Sequence, residues 1–337
     1  ARDIPGENRL SFPAELVPIL AYDRLNYYGE AVALLAGSDI RILRELAEEC
    51  TVEVKEQKGH FDTRKFSADT LAGKQRIDMG DCEEAFEEAA YVVESTMRIA
   101  AQEHWYPEPH TAFARFEYDK LILSTGTQWP FHVRNSVAAV LDVQKGDILV
   151  DPMETGPHLD GRLWYPSLVS SWCALTALLS RSNARLALTR KEDVLFSPKR
   201  PAVSIQHRSA LGKRGELLAC QVRSHIEAGA ASPFINETLD RLCLGSTGAY
   251  ECPNVSAEAY AVRTNTLPTG PFAGFGLSQA SIAMENHVQK ICDTLDADPV
   301  EWRLKNSLSR GALMNGGSRI KDAVASSVLI DSVLGMS

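Results

Sequence analysis

The chain has 337 residues and is 45% hydrophobic, enough to bury a substantial core, and its length suits about two domains. Its 35 basic and 44 acidic residues leave a formal charge of -9, which offers no broad attraction to nucleic acid or to an anionic membrane surface. Neither partner is expected, and the longest apolar stretch, Ser167 to Ser180, is broken by four serines and a threonine and is too short to span a bilayer. The seven cysteines, at positions 50, 82, 173, 220, 243, 252 and 292, are scattered without a C-x-x-C pair. They read as reduced thiols, six of the seven beside apolar or helical stretches that suit a small hydrophobe, which points to the cytoplasm, and their spacing excludes an iron–sulfur cluster held by this chain alone. The first residues carry neither a signal-like pattern nor an initiating methionine, so a processed or truncated chain is expected.

Residues 27 to 56 go from an apolar run through Ser38, the expected N-cap, into a helix with Ile40, Leu43 and Leu46 on one face, and return to the alternating "TVEVKE". This predicts a strand–helix–strand unit. The polar stretch that follows has no sustained period and reads as a linker, with a new domain starting near residue 77. Asp81 then caps a short acidic helix, "YVVESTMRIAAQ" forms a strand, and "FARFEYDKLILSTGT" forms a hairpin turning at Asp119-Lys120. A helix is expected over "FHVRNSVAAVL", a strand over "DILVDP", a buried helix over 164 to 181 and a strand over "ARLALT". Two long alternating strands joined around Gly212 to Gly215 should pair antiparallel. Near the end, Asp298 before Pro299 marks a helix start, with Leu304 and Leu308 on one face. Helix and strand periods alternate without a strict βαβ rhythm, which predicts an α+β fold of mixed sheets with packed helices.

Few motifs carry chemistry. None of the eight histidines sits in a tight metal-ligand spacing, and neither a G-x-S-x-G elbow nor a Walker A loop occurs. "QEHWYPEPH" (102 to 110) crowds two His and two Glu, but Pro107 and Pro109 hold the backbone extended and splay those side chains, so a structural turn is expected. "PFAGFG" (271 to 276) runs into a helix. Its glycines either make a simple turn anchored by Phe272 and Phe275, or let a bulky anion approach unpaired helix N–H groups.

Four landmarks in order, "QEHWYPEPH", "LSTGTQWPFHVRNSVAAVLDV", "RTNTLPTGPFAGFG" and "DPVEWRLKN", resemble the large, molybdopterin-binding subunit of the xanthine dehydrogenase and aldehyde oxidase family. "ARDIPGEN" and "YYGEAVALLAG" are similar to the later part of that family's α/β hammerhead domain. The resemblance implies three regions: a partial hammerhead-like domain at 1–58, a linker at 59–76, and a first molybdopterin-binding-like domain at 77–337. It also implies the molybdenum cofactor, held by its pterin and not by protein ligands, with iron–sulfur clusters and FAD on partner subunits only. The general base, a glutamate, lies in the family's second molybdenum domain. The expected partners are therefore a chain carrying that domain, electron-transfer subunits and a small-molecule substrate, a heterocycle or an aldehyde.

By the same resemblance Gln128 matches a glutamine near the metal's oxo ligand, Phe272 and Phe275 match rings that abut a planar heterocycle, and Gly274 and Gly276 let the loop approach the cofactor. Arg241 matches a substrate-orienting arginine and is the one catalytic candidate. Two departures stand out. Ala273 replaces the family's arginine, and "GPHLDGRL" (156 to 163) replaces a glycine-rich loop, keeping only Gly156 and Gly161, with Leu163 where the family has a glutamate. Two readings stay open: a hydroxylase subunit contributing half of the cofactor pocket, or a structural subunit of the same family that has lost cofactor binding.

Overall fold

The structure, a computed structural model, describes residues 1–157 and 159–335. A short hairpin opens it, β1 (Arg9–Phe12) against β2 (Glu15–Pro18), with Leu10, Phe12 and Val17 buried. Strands of four residues are too short to show a period, so nothing in the sequence marks them. The next helix, α1 (Ile40–Glu49), is capped by Asp39, whose carboxylate accepts from the Arg41 backbone N–H at 2.8 Å, so the cap is one residue later than expected. The strands expected on either side of it are not formed. Residues 31–37 and 51–60 carry no strand structure: single backbone bonds, from the Ala21 N–H to the Ala31 carbonyl at 2.8 Å and from the Asn265 N–H to the His60 carbonyl at 2.9 Å, do not extend into a ladder, and no residue of α1 is buried.

Part of the stretch expected as a linker is regular structure. Residues 68–70 make a 3-10 turn, and β3 (Leu71–Met79) follows directly as an edge strand. Its partner lies near residue 255, so nothing nearby in the sequence announces the pairing. Asp81 caps α2 (Cys82–Glu87) as expected, accepting from the Glu84 N–H at 3.1 Å. Then come β4 (Tyr91–Ile99), β5 (Thr111–Glu117) and β6 (Lys120–Thr125). Glu117 pairs with Lys120, and the two residues between them, Tyr118 and Asp119, both take positive φ, so the turn falls one residue earlier than expected.

The chain continues through α3 (Pro130–Leu141), β7 (Ile148–Pro152), α4 (Tyr165–Ser180), β8 (Ala184–Ala187) and α5 (Arg190–Phe196). It then forms β9 (Val203–Leu211), β10 (Leu217–Gly229), α6 (Ile235–Leu244) and β11 (Asn254–Arg263), and closes with α7 (Leu277–Leu295), α8 (Pro299–Asn306) and α9 (Ser326–Leu334). Leu308 falls beyond α8, and the residues that helix buries are Trp302 and Asn306.

Two larger sheets carry the fold. One has the order β3-β11-β10-β9-β4, antiparallel except where β10 and β11 run parallel across the α6 connection. The other has the order β7-β6-β5-β8, with only β6 and β7 parallel. Each sheet builds its own core. Leu10, Phe12, Val133, Val137, Leu168, Val169 and Leu123 fill the first, where α3 and α4 cover the smaller sheet. Ile205, Val222, Ile226, Leu239, Met284, Val288 and Trp302 fill the second, where α6 and α7 cover the larger one. The small residues Ala257, Ala259 and Ala261 on β11 let helices approach the sheet closely.

Asp298 makes a strong cap, accepting from the N–H groups of Val300 and Glu301 at 2.8 and 2.9 Å, with Pro299 at the first helical position. Replacing it by Ala should cost about 1 kcal/mol, read as a lower urea midpoint at unchanged slope.

Candidate functional site

Three loops are bonded to one another: 126–129 after β6, 156–163 before α4, and 271–276 before α7. Gln128 ties the first two together. Its backbone N–H donates to the Arg162 carbonyl at 3.0 Å, its Oε1 accepts from the Arg162 N–H at 3.1 Å, and its Nε2 donates to Asp160 at 3.2 Å. The Ala273 N–H donates to the Leu159 carbonyl at 3.0 Å and joins the third loop to the second. Residue 158, inside the altered "GPHLDGRL" stretch, lies outside the described residues. Leu159 and Asp160 both take positive φ, a conformation that costs a leucine more than an aspartate.

The 271–276 loop is a tight turn. The Phe275 N–H donates to the Phe272 carbonyl at 2.7 Å, with Gly274 at φ +84° and Phe275 at φ +52°. Its two rings belong to separate aromatic ladders. Phe272 stacks on His104 at 4.5 Å, His104 stacks on Tyr106 at 5.3 Å, and the Arg200 guanidinium lies 4.0 Å from the Phe272 ring centre. Phe275 meets Phe234 edge-on at 6.4 Å, Phe234 contacts Trp129 at 6.1 Å, and Trp129 stacks on His132 at 4.3 Å. The Arg241 guanidinium sits 4.8 Å from the Phe275 ring centre, exposed at the end of α6. Both rings are only half buried. They stand beside the loops that Gln128 fastens, so the structure brings together Gln128, Gly161, Phe272, Gly274, Phe275 and Arg241.

The glycines differ in what they make room for. Gly161 must be glycine because a Cβ there would lie 2.3 Å from the Tyr106 hydroxyl and 2.6 Å from His104. Gly156 sits against Glu108, which accepts its N–H at 2.8 Å. Gly276 faces away from the loops, and its missing side chain lets the start of α7 press on α6, with a Cβ 2.4 Å from the Thr238 carbonyl.

"QEHWYPEPH" turns out to be the wall behind Phe272. Its side chains reach four different partners, as the prolines imply. Glu103 pairs with Lys199 at 2.7 Å, His104 Nε2 donates to the Pro271 carbonyl at 2.9 Å, Glu108 pairs with Arg162 at 2.9 Å, and His110 Nδ1 pairs with Asp193 at 2.6 Å. Burial pulls the His104 imidazole down to about 4, so it stays neutral and keeps donating to Pro271. Burial acts to raise Glu108, but the Gly156 N–H and the charges of Arg162 and Arg190 outweigh it and hold that carboxyl below the usual range.

His104, Tyr106, Arg162 and Arg200 are site residues that sequence reasoning misses. The first two stand in plain view in a stretch that reads as a turn. Arg162 and Arg200 have no motif around them.

Residues 65–307 match the sequence family described as the molybdopterin cofactor-binding domain, and that span contains every candidate site residue. Among curated proteins, the chain is 27% identical over 331 residues to the nicotinate dehydrogenase large molybdopterin subunit of Eubacterium barkeri, covering 95% of this chain and 77% of that protein. It is 27% identical over 315 residues to aldehyde oxidase 4 of Cavia porcellus, covering 92% of this chain and 23% of that protein. The fold superposes on the aldehyde oxidoreductase of Desulfovibrio gigas with a TM-score of 0.91 at 22% identity, covering 99% of this chain and 39% of the other. On quinoline 2-oxidoreductase of Pseudomonas putida 86 the TM-score is 0.87 at 23% identity, covering 100% of this chain and 45% of the other. The chain thus spans less than half the length of most of these relatives.

Proposed function

The chain belongs to the molybdopterin cofactor-binding domain family, and from that premise we propose that it forms half of the cofactor pocket of a molybdenum hydroxylase, the other half coming from additional polypeptide. One observation carries this reading most directly: the strained 271–276 turn is bonded to the 156–163 loop, which Gln128 fastens in turn. The residues present suit an anionic, planar ligand. Two half-buried rings flank a left-handed glycine, and two buried guanidinium groups nearby, Arg162 and Arg200, each keep an Nε with no hydrogen-bond partner.

The proposed holding residues are Gln128, Gly156, Gly161, Phe272, Gly274, Phe275 and Gly276. Gln128 orients the loop through both ends of its amide, and the rings exclude water from one side. Gly276 contributes indirectly, by setting where α7 begins. Arg241, exposed beside Phe275, is the proposed substrate-orienting group, because it can offer a fork of donors to a polar heterocycle. When bound, the cofactor would supply the redox chemistry of hydroxylation with water as the oxygen source. The names of the nicotinate and quinoline enzymes favour an aromatic heterocycle as substrate.

Electron-transfer partners with iron–sulfur clusters and FAD belong to this proposal, as does a cytoplasmic setting. No helix among the described residues is long and apolar enough to cross a membrane. The division at 1–58, 59–76 and 77–337 also stays a proposal, with α1 outside both cores while β1 and β2 pack into the first.

Elemental analysis tests the central claim. The complex purified through this chain from its native host should carry about one molybdenum per copy. Metal absent from both the complex and the isolated chain would refute the reading.

A further inference from the structure

The described residues bury three cations beside the site, and two of them are neutralised. Arg162, 2% exposed, pairs with Glu108 at 2.9 Å, and Lys199, 8% exposed, pairs with Glu103 at 2.7 Å. Arg200, 7% exposed, forms no ion pair among the described residues. Burial lowers its pKa and no neighbouring charge offsets the effect. Its Nη2 donates to the Ala273 carbonyl at 3.2 Å, its face lies over the Phe272 ring, and its Nε is buried without a partner. A buried guanidinium that is neither paired nor fully bonded is costly, and the fold keeps one at the loop where Ala273 itself offers no charge.

We propose that Arg200 is an oxyanion-binding residue of this site, taking a phosphate or carboxylate group of a small molecule at the head of the 271–276 loop. The geometry suits that role. The bond to the Ala273 carbonyl and the stacking on Phe272 fix the plane of the guanidinium, so an incoming oxyanion meets a preorganised donor. The backbone also holds the residue in place, because Arg200 and Gln102 exchange N–H···O bonds at 3.0 and 3.2 Å. If the anion is the phosphate of the cofactor, the inference rests on the molybdopterin reading above. If it is a carboxylate, it belongs to the substrate. The anion site itself needs neither.

The test uses the full chain without cofactor, titrated calorimetrically with inorganic phosphate and separately with benzoate. Wild type should bind at least one of them, Arg200→Met should bind it roughly 10-fold more weakly or worse, and Arg200→Lys should fall between. Arg64→Met, which removes an exposed guanidinium paired with Asp62, should bind as wild type does. Phosphate binding points to a cofactor-type ligand, and benzoate binding alone to a substrate carboxylate.

Thermal melting without anion supplies a second readout. Removing an uncompensated buried charge should leave the Tm of Arg200→Met level or higher, whereas a purely structural arginine should lower it. If that variant does not fold, the comparison of Arg200→Lys with wild type decides. Binding of neither anion by wild type, or equal binding by wild type and both Arg200 variants, would overturn the proposal. Because no molybdenum is involved, an anion site could stand while the metal assay failed, and the reverse.

Discussion

Taking the protein from pH 6.5 to pH 4.5 should remove on the order of 4 kcal/mol of stability through two imidazoles in the second core alone. His207 and His287 stack at 5.1 Å between β9 and α7. His287 bonds the hydroxyls of Ser95 and Ser209 at 2.7 and 2.9 Å, and His207 donates to the Ser246 carbonyl at 3.2 Å. None of these partners is a carboxylate. Burial holds His207 down to about 4, and burial with the charges of His207 and Lys290 holds His287 down to about 3.

The sign follows from those directions. Both groups are neutral in the folded state until the pH falls through about 4 and about 3, but they take up protons near 6.5 once unfolded. Their stabilising effect is therefore complete above pH 6.5 and is lost as the pH falls toward the folded values. Between 6.5 and 4.5 most carboxylates have not yet titrated, so the imidazoles dominate that window, with a further share from His104. Urea midpoints across the window measure the slope. The double variant His207→Gln, His287→Gln should flatten it by about two protons, and a slope unchanged by the double variant would sink the explanation.

Gly276→Ala should destabilise the chain by about 3 kcal/mol through overpacking. The glycine has φ -80° and ψ -17°, a backbone that alanine adopts freely, so conformational strain plays no part. Space is the obstacle. An added Cβ would sit 2.4 Å from the Thr238 carbonyl and 2.9 Å from the Leu242 N–H, both backbone atoms of α6, and 2.6 Å from the Leu242 side chain. Backbone cannot swing aside as a side chain can, so α7 would have to lift away from α6. At Gly274, by contrast, the nearest atom to a new Cβ is the mobile Ser278 Oγ at 2.7 Å, and the penalty there comes mainly from φ +84°. Equal urea midpoints for Gly276→Ala and wild type would refute the packing argument.

Legibility in the sequence follows the range of each signal. Asp81 and Asp298 announce their helices because a cap acts within three residues. The β9–β10 hairpin is readable because its strands are long and its turn is glycine-bounded. β3 is hidden because the strand that holds it arrives much later in the chain. The strands expected around α1 are the reverse case, since their alternation is real but they form no ladder with any described residue.

At the site, resemblance locates the 271–276 and 156–163 loops and Gln128, yet it says nothing of the second constraint on Gly276. That glycine serves helix packing, a constraint visible only once α6 and α7 are side by side. Arg200 is invisible for a different reason. Its significance lies in having no counter-charge among the described residues, and no linear pattern records an absence.

The strand order of the larger sheet sets a timetable for assembly. Residues 111 to 187, which supply every strand of the smaller sheet, form an insertion between β4 and β9 and contain their own pairings. A nascent chain leaving the ribosome can therefore mature that inserted body while β3 and β4 wait, edges bare, for partners still to be translated. The last of them is β11, and only its arrival seals β3.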